Sequence, residues 1–398
     1  MLKTMFRRPS RPSRPSRSPA ARPGGTLAPA PKALPRPRPA VIDAPVVIDG
    51  PAVLPALPVQ PPPVLLAPEP RPAPAPGVSG VTVPPASPMR LGVIDIGSNT
   101  VHLLVVDAHV GGQPMPAASV KVPVRLVSLL DGDGTLSAEG ERVLTDCILN
   151  LSREASALGV DDLVAFATSA LRDAPNGDAV IERVRATSGI PLAVLPGEDE
   201  ARMTFLAVRR WFGWSAGRLL ALDIGGGSLE IAAGMHEDPE VVASLPLGAS
   251  RLTRDWLAGD PPKRSEVTAL RRYVRAQIAP VVSSLYVVGE PTRTVATSKT
   301  FRSLARIAGA APYSRGPYVR RVLSRESLRE ITVRLCKLPA AERIDLPGVS
   351  ADRADQLAAG AIVADEAMDL LGVDELEICP WALREGVILR RLDLLTSA

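Results

Sequence analysis

The sequence predicts an α/β protein in which a mixed sheet is built twice, and three observations lead there. An aspartate-led, glycine-rich loop occurs as Asp95-Ile96-Gly97-Ser98-Asn99-Thr100 and again as Asp223-Ile224-Gly225-Gly226-Gly227-Ser228. Each loop follows an apolar run (Leu91 to Ile94, Leu219 to Leu222) and precedes another (Val101 to Val106, Leu229 to Ala233), the pattern of strand, tight turn, strand. After each hairpin the chain passes through helical periodicity and returns to short apolar runs.

Strands are expected at about 91–96, 101–107 and 122–130, an antiparallel meander broken by Gly111-Gly112 and closed by Asp131-Gly132-Asp133-Gly134. A helix follows from about Ser137 to Leu158, because Val143, Leu144, Ile148, Leu151, Ala155 and Leu158 fall on one stripe. A strand at Leu163 to Thr168, a helix near Asp178 to Thr187, a strand at Leu192 to Leu195 and a helix from Glu198 to about Trp211 complete the first half. The second half restarts at Gly217, with strands at Arg218 to Ile224, Leu229 to Gly234 and Val241 to Leu245, then helices at about Ser250 to Trp256 and Ser265 to Ile278. A short strand at Arg293 to Ala296, a helix from Lys299 to Ile307, further helices to Leu371, a strand at Glu375 to Ile378 and a helix from Ala382 to Leu392 finish it. The expected domains are 89–216 and 217–380, with 381–398 a C-terminal helix packing back on the first. Two copies of one fold facing each other place the two loops across a shared cleft.

Composition separates this body from its N-terminal arm. Residues 1–88 hold 11 Lys and Arg against 3 acids and 25 of the 42 prolines, whereas the other 310 residues carry 35 basic against 39 acidic side chains. The basic isoelectric point therefore belongs to the arm. Its proline spacing removes amide donors and forces extended backbone, so 1–88 is read as a disordered Pro/Ala/Arg-rich tail. Contact of this arm with nucleic acid, membrane or an acidic polymer is weighed against a plain tether, and the tether is preferred. Met89, just before the first strand, is a candidate translation start, and abundant native peptides from 1–88 would refute that. The arm lacks the apolar core of a secretory signal, and no apolar run reaches membrane-spanning length, so a soluble cytoplasmic protein without a membrane partner is expected. Cys147, Cys336 and Cys379 have neither zinc spacing nor an even count, and read as buried thiols; His102, His109 and His236 are isolated, with His102 packed inside its strand.

The loops point to phosphate. Glycines let successive backbone N–H groups approach an anion, forming a donor nest, and Ser98, Asn99, Thr100 and Ser228 add side-chain donors. Asp95 and Asp223 would repel phosphate unless a hard cation lies between, and Mg²⁺ fits because it binds through one or two carboxylates with water and phosphate oxygens as its other ligands. Glu230 projects to the same face as Ser228 and could complete that cation site. The plain alternative is a pair of glycine-bearing hairpins, which matched strand contexts disfavour. Gly197-Glu198-Asp199-Glu200-Ala201-Arg202 places acids at a helix start, where Glu198 and Asp199 complement the macrodipole and one member of the cluster is a candidate base for activating water. Arg172, in Ala167-Thr168-Ser169-Ala170-Leu171-Arg172-Asp173, either forks onto a phosphate or pairs with Asp173 or Asp178.

Taken together, Asp95 to Thr100, Phe166 to Arg172 with Asn176, Gly197 to Arg202 and Asp223 to Glu230 are similar in identity, order and spacing to the signature segments of the Ppx/GppA family of exopolyphosphatases and guanosine pentaphosphate phosphohydrolases. Ser215-Ala216-Gly217, Ala296 to Arg306 and Cys379 to Gly386 bring the likeness close to the short two-domain actinobacterial members, over about 90–395. The resemblance implies two actin-like, ribonuclease-H-like domains with catalysis between them. It implies Glu200 as the base that activates water, Asp223 and Glu230 as Mg²⁺ ligands, and Gly97, Ser98, Asn99, Thr100, Arg172, Gly225, Gly226, Gly227 and Ser228 as phosphate holders, with Asp95 matching the aspartate of the first phosphate loop. Members of this architecture commonly dimerise, so a homodimer is expected. Some members add a helical module of the HD type; the sequence has none before Ala398, which sets the expectation at shorter polyphosphate chains. Where ATP-using relatives place a glycine pair to admit adenosine, this sequence has Ala296 and, three residues on, Lys299, a charge for a further phosphate. Removal of terminal phosphate from polyphosphate is therefore the leading expectation, pppGpp 5′-phosphohydrolysis its competitor, and a kinase or a non-catalytic sensor the lesser alternatives.

Overall fold

The computed structural model describes residues 89–109 and 112–396, all within one compact unit, Ser79–Ala398. The expected arm over 1–88 lies outside the described residues.

In the first half, β1 (Met89–Ile96), β2 (Thr100–Ala108) and β3 (Met115–Pro123) form the meander, followed by α1 (Ala138–Ala157), β4 (Asp162–Ala167), the short α2 (Ser169–Arg172), α3 (Gly177–Ser188), β5 (Leu192–Val194) and α4 (Gly197–Phe212). The second half has β6 (Leu219–Ile224), β7 (Leu229–Gly234), β8 (Val241–Leu245), α5 (Ala249–Trp256), α6 (Arg264–Val288), β9 (Arg293–Ala296) and α7 (Ser298–Ile307). It closes with β10 (Val322–Ser324), α8 (Arg325–Leu335), α9 (Ala340–Arg343), α10 (Leu357–Leu370), β11 (Glu375–Ile378) and α11 (Leu383–Thr396).

The first sheet runs β3-β2-β1-β4-β5; read from its other edge the second runs β8-β7-β6-β9-β11-β10. In both, the hairpin strands are antiparallel and the later strands join β1 or β6 in parallel, so the second sheet repeats the first and adds one antiparallel edge strand. The expected α/β fold with two mixed sheets is the one observed. β1 and β6 are apolar at nearly every position because both faces of a central strand are covered. Helix ends follow local chemistry: Ser137 caps α1 by accepting from the Gly140 N–H (3.1 Å), and Gly189, at φ 69°, lets the chain turn out of α3.

Two expectations are corrected. The third strand is 115–123, not 122–130. At Val124 the chain leaves the sheet: the Val124 and Arg125 N–H groups both donate to the Asn99 carbonyl (3.1 and 2.9 Å), Arg125 turns at φ 51°, and Leu126 is fully buried. That apolar run buries as a plug under the first loop. The sixth helix runs ten residues past Ile278 despite Pro280, because Val281, Val282 and Leu285 continue its apolar stripe onto the second core. Packing there outweighs the lost backbone hydrogen bond.

The two halves exchange a helix. The face of α4 carrying Ala201, Phe205 and Val208 buries against Leu219, Ala221 and Ala232 of the second sheet. Ile388 of α11 buries among Leu91, Val93, Leu104, Val106 and Phe166 of the first. The two helices cross where Gly386 meets the Met203 backbone; a Cβ there would lie 1.9 Å from the Met203 carbonyl oxygen.

Candidate active site

Both loops close with the same hydrogen bond, Gly97 N–H to the Thr100 carbonyl (3.1 Å) and Gly225 N–H to the Ser228 carbonyl (2.9 Å). A second repeat stands behind them. The parallel strands β4 and β9 each end in Ala-Thr-Ser, and Thr168 and Thr297 adopt nearly identical backbone angles, φ −114°, ψ −154° and φ −116°, ψ −157°. Thr168 donates to the Ile96 carbonyl (3.2 Å), whereas Thr297 donates to the Asp223 carboxylate.

The loops face each other directly. A Cβ on Gly226 would lie 2.7 Å from Ser98 Cβ, and one on Gly227 would lie 2.3 Å from Ser169 Oγ, so glycine is required by close approach. Ser98 and Ser169 share a hydrogen bond (3.1 Å), and Asn99 crosses to the second half by donating to Ser250 Oγ (2.9 Å) and Gln356 Oε1 (3.1 Å). Between the halves lies a cleft of about 880 Å³, lined by Asp95, Gly97, Ser98, Asn99, Thr100, Glu200, Asp223, Gly225, Gly226, Ser228, Glu230 and Lys299 among others. Of the expected site residues, Arg172 and Gly227 are absent from that lining. Gly227 turns its carbonyl to Arg251 Nε (2.9 Å).

Four carboxylates meet here. Asp223 and Glu230 are directly opposed across the β6–β7 hairpin, and Glu230 accepts from Ser244 Oγ (3.0 Å). Glu200, in the first turn of α4, is buried and ion-paired to Arg172, whose guanidinium also meets Asp173 (3.1 Å) and the Leu195 carbonyl (3.2 Å). Arg172 thus takes the Asp173 pairing weighed from sequence and adds a partner 28 positions away. Asp95 accepts from Arg384 of α11 (3.2 Å).

Burial pushes the Glu200 carboxyl well above the usual carboxylate range and Glu230 adds to it, with Arg172 opposing. Burial and then Asp223 raise Glu230 likewise, against the hydroxyls of Ser228 and Ser244. Asp223 is pushed up to about 6 by burial, opposed by the Thr297 hydroxyl, and Asp95 is raised by burial against Arg384. Acids crowded and desolvated this way lack positive charge. Asp223 and Glu230 fit a hard cation that takes one or two carboxylates and fills its shell with water and phosphate oxygens. Among the described residues there is no group of three or more His, Cys, Asp or Glu side chains that could hold a metal ion. The three cysteines are free, and Cys147 and Cys379 are buried.

Sequence reasoning missed Lys121, Arg302, Arg353 and Arg384, which line the same cleft. Arg302 and Arg384 stand inside segments that carried the family likeness, so a search of those segments for cations would have found them. Lys121 was hidden by the misplaced third strand.

An α/β fold with two facing glycine loops, a buried acid between them and a paired carboxylate site defines a phosphate-handling enzyme of the hydrolytic kind. The Ppx/GppA phosphatase family matches over residues 105–395, and the chain belongs to that family. It is similar to exopolyphosphatase 1 of Mycobacterium tuberculosis, 54% identical over 305 residues that cover 77% of this chain and 89% of that one. It is more distantly similar to the guanosine-5′-triphosphate,3′-diphosphate pyrophosphatase of Aliivibrio fischeri, 28% identical over 77% of this chain and 60% of that one. Among solved structures, an exopolyphosphatase from Cytophaga hutchinsonii superposes with a TM-score of 0.70 at 25% identity, covering 77% of this chain and 98% of that one. Among the described residues no helix is long and apolar enough to cross a membrane.

Proposed function

We propose that this chain is an exopolyphosphatase that releases terminal orthophosphate from inorganic polyphosphate of short chain length. Asp223 and Glu230 hold Mg²⁺ in this reading, and Glu200 activates water. The observation that carries it is the Glu200 carboxylate, buried between the two loops and held by Arg172 within the field of Glu230. The single contact from Arg172 Nη1 restrains one carboxylate oxygen and leaves the other to accept a proton. When held by Asp223 and Glu230, Mg²⁺ would supply charge neutralisation at the phosphoryl oxygens. Backbone donors of Gly97 to Thr100 and Gly225 to Ser228 grip the terminal phosphoryl group from both sides, with Lys299 taking a further phosphate. Glu200 takes one proton from water as its oxygen bonds to the terminal phosphorus; the bridging P–O bond breaks and its electron pair leaves with the shortened chain. A cytoplasmic homodimer is the expected setting, open to light scattering and fractionation.

Hydrolysis of pppGpp on the same site is the second reading, motivated by the Aliivibrio fischeri relative. Polyphosphate is favoured by the higher identity and fuller coverage of the mycobacterial relative. Phosphate release measured side by side on short polyphosphate, long polyphosphate, pppGpp and ATP decides between them. A clear preference for pppGpp would overturn the first reading, and a preference for ATP would overturn both.

A further inference from the structure

The second loop is held by the helix that follows it. Backbone N–H groups of Ala249 and Arg251, in the first turn of α5, donate to the Gly225 and Gly226 carbonyls (both 3.0 Å), and Arg251 Nε donates to the Gly227 carbonyl (2.9 Å). Three successive loop carbonyls are thereby bound to α5, and they satisfy donors that a helix start leaves without partners. The approach excludes any side chain at Gly248, where a Cβ would lie 2.2 Å from the Gly227 carbonyl carbon.

Arg251 also reaches into the first half. Its Nη2 forms an ion pair with Asp173 Oδ2, at the C-terminal end of α2. The other oxygen of Asp173 accepts from Arg172 Nε (3.1 Å), and Arg172 Nη1 meets Glu200 Oε1 and the Leu195 carbonyl (3.2 Å). Each side chain turns different atoms to its two neighbours, so one unbroken line runs from the Gly227 carbonyl through Arg251, Asp173 and Arg172 to Glu200. Neither Arg251 nor Asp173 lines the cleft. Their side chains are 25% and 37% exposed, and an ion pair as solvated as this contributes little to stability. What the pair supplies is geometry: a guanidinium presents its donors in a fixed plane, so a displacement at one end is passed to the other.

We infer that Arg251 and Asp173 are positioning residues that tie Arg172, and through it Glu200, to the second loop, so that the base is set only when that loop is seated against α5. This rests on the exopolyphosphatase reading above, with Glu200 as the base. Neither residue touches substrate or the reacting atoms. Their effect therefore falls on turnover rather than on substrate affinity, since misplacing a reacting group by about 1 Å can cost on the order of a hundredfold in rate.

The test compares Asp173→Asn and Arg251→Met, singly, together and each beside Glu200→Gln, with wild type for phosphate release from tripolyphosphate with Mg²⁺ present, alongside thermal melts. Each single variant is expected to lose about tenfold in kcat, with KM changed less than about threefold and Tm little changed. The double variant should fall no more than about threefold below the slower single, because one broken link opens the whole line. Beside Glu200→Gln neither substitution should lower kcat by more than about a further twofold, because both act through that carboxylate. A contact that only holds the two halves together would lower it in either background. Asp173→Asn keeps the side-chain shape at an exposed position, so it reports even if Arg251→Met fails to fold. Turnover within about twofold of wild type in folded variants, a rise in KM alone, or a loss of about tenfold that persists beside Glu200→Gln would overturn the positioning role while leaving the exopolyphosphatase reading intact. Absence of phosphate release by the wild type, or wild-type turnover in Glu200→Gln, would overturn the reading on which it rests.

Discussion

Replacing Glu200 by glutamine keeps the shape of the side chain and removes its charge, and the surroundings predict opposite effects on catalysis and stability. Losing a general base costs about 10²–10⁴ in rate, equivalent to roughly 2.7–5.4 kcal/mol of barrier. Stability moves the other way. Burial and Glu230 raise the Glu200 carboxyl, so the folded state binds this proton more firmly than the unfolded chain does. That advantage is present at low pH and is lost as pH rises from the ordinary carboxyl value of 4.5. Above that pH the unfolded chain gives up this proton while the native carboxyl, crowded by Glu230 and Asp95, still holds it, so unfolding is favoured; glutamine, which does not titrate, carries no such penalty. With Arg172 offsetting part of the cost, a relief of about 1–3 kcal/mol is expected, at about 1.36 kcal/mol for each tenfold change in proton affinity. For a chain of this size that is several degrees in Tm, at roughly 2–4 °C per kcal/mol. The assay pairs phosphate release with thermal melts in EDTA from pH 5 to pH 8. Glu200→Gln should lose at least a hundredfold in turnover while its Tm advantage over wild type grows with pH. Turnover within tenfold of wild type, or a pH-independent fall in Tm, would refute the reasoning.

Asp223→Asn and Glu230→Gln should each remove the rise in Tm that millimolar Mg²⁺ produces in the wild type, and EDTA should abolish phosphate release; full turnover in EDTA contradicts the assignment. His102 is held at about 3, below its ordinary 6.5, by burial first and then by Arg384, Lys121 and Arg302. The unfolded chain therefore takes this proton first, and the native state loses stability as pH falls from 6.5 toward 3. The loss by pH 5 is about 2 kcal/mol, and His102→Gln should shrink the difference between urea midpoints at pH 7 and pH 5. Ile388→Ala, emptying a fully buried site between α11 and the first sheet, should cost about 2–5 kcal/mol in denaturant melts.

The doubled loop and its acids were legible in sequence because their signal is local: glycines, an aspartate and flanking apolar runs fall within a dozen residues. Glu200 was narrowed to an acidic helix start by pattern, and singled out from Glu198 and Asp199 by family likeness. The structure separates them physically, for Glu200 is buried while Asp199 is half-buried and Glu198 exposed. Arg172 shows the limit of local reading: Asp173 is its neighbour in sequence, and nothing local points to Glu200 28 positions on. Val124 to Leu130 looked like a strand because apolar alternation does not say whether a segment pairs or plugs. That single slip moved Lys121 out of register with His102, and its place at the cleft was lost with it. Arg353 sits in a segment with no periodic signal, so only tertiary structure could bring it to the cleft. The repeated Ala-Thr-Ser stood in plain view, and its meaning depends on β4 and β9 occupying equivalent places in two sheets.

The exchange of α4 and α11 bears on how such a chain can be made. Synthesis delivers β1, β2 and β4 early, yet the side chain that fills the space over Leu91, Val93, Leu104, Val106 and Phe166 is Ile388 of α11, made only after the whole second sheet. For most of elongation that apolar surface has no native cover, and α4 likewise waits for β6 and β7 to emerge. Neither half can mature as an independent unit on the ribosome, because each withholds a layer of the other's interior until α11 has emerged. A stop codon just before Leu383 would remove few residues and leave the first sheet open on one face, so a small truncation at this end should be read out as aggregation rather than as a shorter working enzyme.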